Sequence, residues 1–319
     1  MRWTRPLRDA VTADQASGVA GPTSPVTVVP VTERLMSLGE GPTWDEGAGV
    51  ARWVDINAGR LFEARVDGRT LGAPRIALTV DGTLGAAVHA EGGGLLLATA
   101  RHLEHRAADG TVVGRAEILP QGSPSRLNDG ACDPSGRYVV GSVALDAQPG
   151  RETLWRLEHD GTVTVIDDDL LLSNGVAWSP KGDAMYHVDT FRSTVFRRAY
   201  DAETGEVGER EALIATPGEY PDGMTVSSDG DVWVAFWLAG EVRRYSADGA
   251  LVATLSTGAP LTTSCAFVGA DLDLLLITTA ASAPGAESTA RSGALLACAP
   301  GARGIATRAW RPAPMDLPT

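Results

Sequence analysis

Apolar and polar residues alternate along most of the chain, in short runs separated by turns rich in glycine and aspartate. A period of two places successive side chains on opposite faces of a β-strand, and no stretch shows the period of a long amphipathic helix. The segment PDGMTVSSDGDVWVAFW, residues 221–237, is typical: a strand, a tight turn at residues 227–230 and a second strand. The pattern therefore predicts an all-β protein.

The strand–turn–strand pattern recurs six times, with a period of about 45 residues, which is typical of four-stranded propeller blades. A third and a fourth strand follow most copies, as in GRLFEARVDG and RIALTVD of the first copy. The copies begin at Glu40, Leu84, Asn128, Asn174, Asp222 and Ser264. The repeats predict one six-bladed β-propeller over residues 25–319.

Two N-terminal segments fall outside the repeats. The strand VTVVPVTERLMS, residues 26–37, has no blade of its own. We expect this N-terminal strand to complete the last blade and close the ring, which leaves no free sheet edge. Residues 1–24 are polar and contain Gly, Pro and Ser, and they are predicted to be a flexible N-terminal extension.

Composition limits the partners. The formal net charge is −13 and the sequence pI is about 4.8, which argues against nucleic acid or an anionic membrane as a partner. No apolar run has the ~20 residues of a membrane span, and none resembles a signal peptide, so a cytoplasmic location is expected. The three cysteines lack metal-site spacing and are predicted to be buried free thiols. A monomer or a weak homo-oligomer is expected.

The first strand of each propeller blade lines the central channel, so equivalent residues form one ring at the channel mouth. Five of the six residues at which the copies begin carry oxygen ligands, and converging oxygens suit a hard or borderline divalent cation. In the third copy Asp129 competes with Asn128 for the ring position. For any single position the alternative is local: Asn-Gly and Asp-Gly pairs also form hairpin turns, and polar residues cap strand starts.

Five motifs resemble the gluconolactonase, senescence marker protein and regucalcin family. They occur in order over residues 36–306: GEGPTWD with WVDI, RLNDGACDPSGRYVVGS, SNGVAWSPKGDAMYHVDT, YPDGMTVSSDGDVWVA and TTSCAF. The resemblance implies a six-bladed propeller that hydrolyses sugar lactones with one divalent cation: Ca, Zn, Mn or Fe. It implies cation ligands at Glu40, Asn174 and Asp222.

The resemblance also implies sugar binding by Arg126 and Asn128. It points to Asp146 as a further acidic contact, where a Glu would be expected. Asp222 is the candidate general base, although a cation-bound Asp has a depressed pKa and is a poor base, so Asp222 serving only as ligand stays open. Trp237, after the second strand of the fifth copy, is a candidate pocket residue.

Two other functions stay open. A propeller hydrolase of non-sugar lactones or phosphoesters is compatible with the apolar ring member Leu84, whereas Arg126 and Asn128 favour a hydroxylated substrate. A non-catalytic, metal-binding propeller is the other alternative. No GxSxG elbow, P-loop or dinucleotide motif is present. The expected function is hydrolysis of a sugar (aldono-) lactone to its aldonic acid, with the lactone, the cation and the role of the extension undetermined.

Overall fold

The structure is a computed structural model, and it describes residues 26–146, 148 and 150–316. The predicted flexible extension, residues 1–24, lies outside the described residues. The first three blades and the strand before them contain β1 (Val29–Pro30), β2 (Gly39–Asp45), β3 (Val50–Asp55), β4 (Arg60–Asp67), β5 (Thr70–Leu71), β6 (Arg75–Thr79), β7 (Leu84–His89), β8 (Leu95–Thr99), β9 (His102–Arg106), β10 (Val112–Glu117), β11 (Ser125–Cys132), β12 (Tyr138–Ala144), β13 (Glu152–Leu157) and β14 (Val163–Leu170).

The remaining blades contain β15 (Ser173–Trp178), β16 (Ala184–Asp189), the 3-10 helix η1 (Thr190–Arg192), β17 (Thr194–Ala199), β18 (Glu211–Ala215), β19 (Tyr220–Val226), β20 (Val232–Trp237), β21 (Glu241–Tyr245), β22 (Leu251–Ser256), β23 (Thr262–Val268), β24 (Leu274–Thr279) and β25 (Leu296–Cys298).

These strands form six antiparallel sheets. Blade 1 contains β2–β6, and blades 2 to 5 contain β7–β10, β11–β14, β15–β18 and β19–β22. In blade 6 the order is β23, β24, β25 and then β1, because the N-terminal strand pairs with the last strand through Val29↔Ala297 and Pro30↔Leu296. The six-bladed β-propeller and its closure by the N-terminal strand are confirmed.

The core is divided among the blade interfaces rather than gathered at one centre. Neighbouring residues of one strand point to opposite faces of their blade, so Trp233 packs toward blade 6 and Val234 toward blade 4. One apolar cluster fills each of the six interfaces between blades. Both faces of every blade are therefore buried, which explains why its central strands are apolar at almost every position.

Each inner strand carries a register shift near its start, where the chain enters the channel. The shifts lie between Glu40 and Thr43, Leu84 and Ala86, Leu127 and Gly130, Ser173 and Val176, Pro221 and Met224, and Thr262 and Ser264. Such β-bulges bend a strand and re-aim its side chains, and they are frequent beside active sites. We call this end of the channel the upper end.

The glycine after the ring residue has a packing role rather than a hairpin role. A Cβ at Gly175 would lie 2.7 Å from the backbone nitrogen of Met224 in the next blade, and one at Gly223 would lie 2.1 Å from the Ser264 Oγ. The Asn-Gly and Asp-Gly pairs at these points therefore let adjacent inner strands approach closely around the channel.

A C-terminal segment, residues 302–316, follows the lower ends of the inner strands. Its main chain bonds to blade 5 through Ser228, to blade 6 through Leu272, to blade 2 through His89 and Glu91, and to the turn at Gly136 in blade 3. The Thr307 hydroxyl accepts from the Trp44 nitrogen in blade 1. We call this segment the strap, because it contacts five of the six blades.

The three cysteines, Cys132, Cys265 and Cys298, are buried free thiols, as predicted. No helix in the described part of the chain is long and apolar enough to cross a membrane.

Candidate active site

A chain of hydrogen bonds joins four buried side chains at the upper end of the channel. Arg126 donates to the Asn128 Oδ1 at 2.6 Å, and the Asn128 Nδ2 donates to the Asn174 Oδ1 at 2.9 Å. The Asn174 Nδ2 donates to the Thr190 Oγ1 at 2.9 Å, and that hydroxyl donates to the Pro221 carbonyl at 2.7 Å. The chain of hydrogen bonds thus links blades 3, 4 and 5 and ends at Pro221, the residue before Asp222. It holds the side chains of Arg126, Asn128, Asn174 and Thr190 in fixed orientations.

Three carboxyl groups meet at this point. Burial, and next the charge of Asp129, raise the pKa of Glu40 to about 8. Burial, and next the charges of Glu40 and Asp129, raise the pKa of Asp222 well above its ordinary range. Burial raises the pKa of Asp129 to about 6. Because like charges in a buried site cannot all stay ionised alone, the site favours protons or a cation.

Arg126 supplies the positive charge nearest to these groups. Burial lowers the pKa of its guanidinium to about 10, against the opposing effect of Glu40 and Asp222. Its side chain is buried, and one nitrogen donates both to Asn128 and to the Leu127 carbonyl. A guanidinium has five N–H donors, so Arg126 keeps donors for a ligand.

The predicted cation ligands fit a divalent cation. The Asp222 Oδ1 is buried and, within the described residues, has no hydrogen-bond partner, which is costly for a carboxylate oxygen unless a ligand fills the place. The Glu40 Oε2 accepts from the neighbouring Gly41 nitrogen at 3.0 Å and from no other residue between positions 26 and 316 that the structure describes. Across residues 26–146, 148 and 150–316, no three His, Cys, Asp or Glu side chains form a metal-holding group. The set therefore depends on two carboxylates and the Asn174 amide oxygen, which suit a hard or borderline cation.

Asp146 occupies a different environment. It is exposed on the loop after β12, and its carboxylate accepts from Arg151 at 2.8 and 3.0 Å. That ion pair lowers the pKa of Asp146. Contact between Asp146 and a bound substrate stays a prediction.

Sequence reasoning left Asp129 as a competitor of Asn128 and did not find Thr190. The bulge between Leu127 and Gly130 contains two residues, so both Asn128 and Asp129 lie at the site. Thr190 follows the last residue of β16, and its role depends on the packing of blade 4 against blade 5. In blade 6 the bulge falls at Thr263, one residue before the predicted ring member Ser264.

A cavity of about 940 Å³ lies elsewhere, near the lower ends of blades 1 and 2, and Thr307 to Ala309 of the strap line part of it. Its wall includes the ion pairs of Arg52 with Asp45 and Glu63, which already satisfy one another. These charges hold the wall together, and the cluster of carboxyls at the upper end is a separate feature.

The family profile described as SMP-30/Gluconolactonase/LRE-like region matches residues 38–281, which is more than half of the chain. The chain belongs to this family. The match spans the inner strands of all six blades and every predicted site residue, so the resemblance carried by the five motifs is confirmed.

The curated proteins to which this chain is similar include lactonases. The pentonolactonase XacC of Haloferax volcanii is 39% identical over 258 residues, covering 80% of this chain and 86% of that protein. The 6-deoxy-6-sulfogluconolactonase of Pseudomonas putida is 33% identical over 257 residues, covering 79% and 87%. The predicted enzyme class, a lactonase-type hydrolase of carboxylic esters, is confirmed.

A solved structure of the family, a regucalcin of Agrobacterium tumefaciens described as a calcium-binding protein, superposes with a TM-score of 0.82. It is 28% identical and covers 90% of this chain and 98% of its own. Nearly the whole described chain therefore has the architecture of that family member.

Proposed function

We propose that this protein is a divalent-cation-dependent sugar lactonase that hydrolyses an aldonolactone to the aldonic acid. One observation carries the proposal: the buried carboxylates of Glu40 and Asp222 adjoin the polar pair Arg126 and Asn128, and one Asp222 oxygen has no hydrogen-bond partner in the part of the chain that the structure describes. The pentonolactonase and sulfogluconolactonase relatives support the substrate class.

Glu40, Asn174 and Asp222 would hold the cation. Calcium, zinc, manganese and iron all accept carboxylate and amide oxygens, and the calcium-binding relative favours calcium among them. When bound, a divalent cation supplies Lewis acidity toward the lactone carbonyl and toward water. Hydrogen bonds to Asn128 and Thr190 orient the Asn174 amide, so the oxygen that would serve as ligand is positioned beforehand.

Arg126 and Asn128 bind and orient the substrate in this proposal. The remaining guanidinium donors of Arg126 can bond to ring hydroxyls or to the carbonyl oxygen as negative charge develops on it. Its burial keeps these donors in a site of low dielectric constant, where they stabilise charge more strongly than they would in water. Holding the lactone in one orientation lowers the barrier further.

A carboxylate must also take a proton from the attacking water. Asp222 is the first candidate, because it lies in the cluster and its raised pKa makes it a stronger base than an ordinary aspartate. A cation bound to Asp222 would lower that pKa again and weaken it as a base. Asp129 is the second candidate, since burial raises its pKa above that of an ordinary aspartate and it is not one of the proposed ligands.

The experiment compares initial rates of acid release on three substrate classes: aldonolactones of five and six carbons, a non-sugar lactone and a phosphotriester. Each is measured with added calcium, zinc or manganese and with excess chelator. We expect chelator-sensitive hydrolysis of at least one aldonolactone, and a loss of about 1,000-fold or more for Asp222→Asn.

Asp168→Asn is the matched control, because it removes the same charge from an exposed position on β14 and should leave the rate unchanged. No rate above the spontaneous background on any aldonolactone would contradict the proposal. Turnover of only the other two classes would favour the non-sugar hydrolase, and one bound cation without turnover would favour a non-catalytic propeller.

A further inference from the structure

The 3-10 helix η1 is a turn whose residues are fixed by buried or charged contacts. Asp189, which is fully buried, accepts from the Arg192 backbone nitrogen and forms an ion pair with its guanidinium. Thr190 is buried in the hydrogen-bond chain of the site. Ser193 adopts a left-handed conformation with φ of 52°, and its hydroxyl donates to the Glu219 carbonyl at 2.7 Å. Such a turn can hold a side chain rigidly.

Phe191, in the middle of this turn, is 36% exposed. Its ring lies edge-to-face against Tyr220, with centroids 6.4 Å apart and planes at 84°. Tyr220 is itself only partly buried at the start of β19. Single exposed apolar residues are common on this protein, but a rigidly held aromatic pair beside a polar site is typical of the walls of small-molecule sites.

Phe191 and Tyr220 are each next in sequence to a residue of the hydrogen-bond chain of the site. Phe191 follows Thr190, whose hydroxyl accepts from Asn174, and Tyr220 precedes Pro221 and Asp222. Arg126 and Asn128 approach the same carboxylates from blade 3. Both aromatic residues therefore lie at the upper end of blades 4 and 5, within two residues in sequence of a side chain of the site.

We propose that Phe191 and Tyr220 form an apolar subsite that packs against a face of C–H groups on the substrate, whose hydroxyls bond to Arg126 and Asn128. This inference rests on the proposed function and narrows its substrate class. The favoured lactone is compact, with hydroxyls that bond to blade 3 and a face of C–H groups that covers the Phe191 ring. Such division into a few polar groups and an apolar wall is typical of small-molecule sites.

The kinetic test uses Phe191→Ala, Phe191→Leu and Phe191→Tyr on the aldonolactone that the wild type hydrolyses fastest. Packing against a face that does not react stabilises ground state and transition state alike, so it affects KM and leaves kcat unchanged. We expect Phe191→Ala to raise KM about five- to tenfold, Phe191→Leu to raise it less, and Phe191→Tyr to resemble the wild type. Val165→Ala, at another exposed apolar residue (58% exposed), is the control and should change neither constant.

A binding test separates this inference from the proposed function. The ligand is a 1,4-anhydropentitol, which keeps ring hydroxyls and C–H groups but has no ester bond, and binding is followed by saturation-transfer NMR on the cation-loaded protein. Binding that Phe191→Ala weakens supports the subsite even if no lactone is hydrolysed. The subsite is overturned if the wild type does not bind the anhydropentitol, if Phe191→Ala matches the wild type in KM and binding, or if the substitution lowers kcat alone.

Discussion

At the scale of single residues, a carboxyl group buried beside two others keeps its proton unless another positive charge replaces it. Glu40 and Asp222 are 5% and 6% exposed, and the burial of each is the main cause of its raised pKa. A divalent cation is the replacement that the geometry allows, because the Asp222 Oδ1 has no partner among the described residues. The residues that would be catalytic in the loaded protein are therefore expected to destabilise the cation-free protein near neutral pH.

The direction in which the free energy of unfolding changes with pH tests this expectation. The pKa of Glu40 is about 8 in the folded, cation-free protein and 4.5 for an exposed carboxyl, so the folded state binds this proton more tightly. Its contribution to stability is present below pH 4.5 and is lost as the pH rises toward 8. In excess chelator, Glu40 alone should lower the free energy of unfolding over this window by up to about 1.4 kcal/mol per pH unit, and the raised pKa values of Asp222 and Asp129 add to the fall.

Glu40→Gln, which cannot ionise, should show a shallower fall in denaturant titrations over the same window. Parallel curves for the two proteins would contradict the account. Added cation should reverse the trend, because cations compete with protons for carboxylates and bind more tightly as the pH rises.

At the scale of elements, the six bulges explain how regular strands present functional side chains. Asn128, Asn174 and Asp222 all lie inside bulges, and Glu40 immediately precedes one. The repeats reveal these positions in the sequence, because each blade has its own run of alternating apolar and polar residues and its own turn. The bulges themselves cannot be recognised in the sequence. Comparison of the repeats therefore could not decide between Asn128 and Asp129, and in blade 6 it gave Ser264 as the ring residue, where the bulge is at Thr263.

Close contact between neighbouring blades makes a further prediction. A Cβ at Gly141 in β12 would lie 1.8 Å from the Ser173 Oγ and 2.3 Å from the Ser173 Cβ. Ser173 precedes Asn174, and its hydroxyl is hydrogen-bonded to the buried His187 Nε2 at 2.8 Å. Gly141→Ala should therefore push blade 4 away from blade 3, lower the free energy of unfolding by about 1–3 kcal/mol and weaken cation binding.

Gly47→Ala is the control for this substitution, because its nearest contact would be an ordinary 3.5 Å and its stability should change by less than about 0.5 kcal/mol. Thermal melts and cation titrations measure both effects. If Gly141→Ala kept wild-type stability and cation affinity, the blade contact would not position Asn174.

At the scale of the whole molecule, two N- and C-terminal segments hold the ring of six blades together. The first closure, β1 on β25, was predicted because a lone N-terminal strand needs a sheet edge. The second, the strap, was not predicted. Its sequence, ARGIATRAWRPAPMD at residues 302–316, has no alternation of apolar and polar residues. Its backbone hydrogen bonds join it to residues that are far away in sequence. Local patterns cannot reveal such pairing. The position of the inner-strand residues at the upper end could therefore be predicted from the repeats, whereas the path of the strap could not.

Trp310 is the largest buried side chain of the strap. It is 1% exposed, lies in the cluster between blades 2 and 3, and contacts the His105 ring edge-to-face at 4.7 Å. Trp310→Ala should lower the free energy of unfolding by about 3–5 kcal/mol, because it leaves a large cavity. Arg308→Ala, at an exposed position of the same segment, should change it by less than about 0.5 kcal/mol. Equal denaturation midpoints for the two variants would show that the strap does not hold the blades.

In the proposed function, one divalent cation held by Glu40, Asn174 and Asp222 is required for lactone hydrolysis. The most direct measurement determines cation content and aldonolactone hydrolysis on the same purified sample, before chelation, after chelation and after readdition of the cation. We expect one cation per chain in the purified protein, loss of both the cation and the hydrolysis rate on chelation, and recovery of both on readdition. Asp222→Asn should show neither the cation nor hydrolysis. A full rate of hydrolysis in cation-free protein under excess chelator would contradict the proposed function.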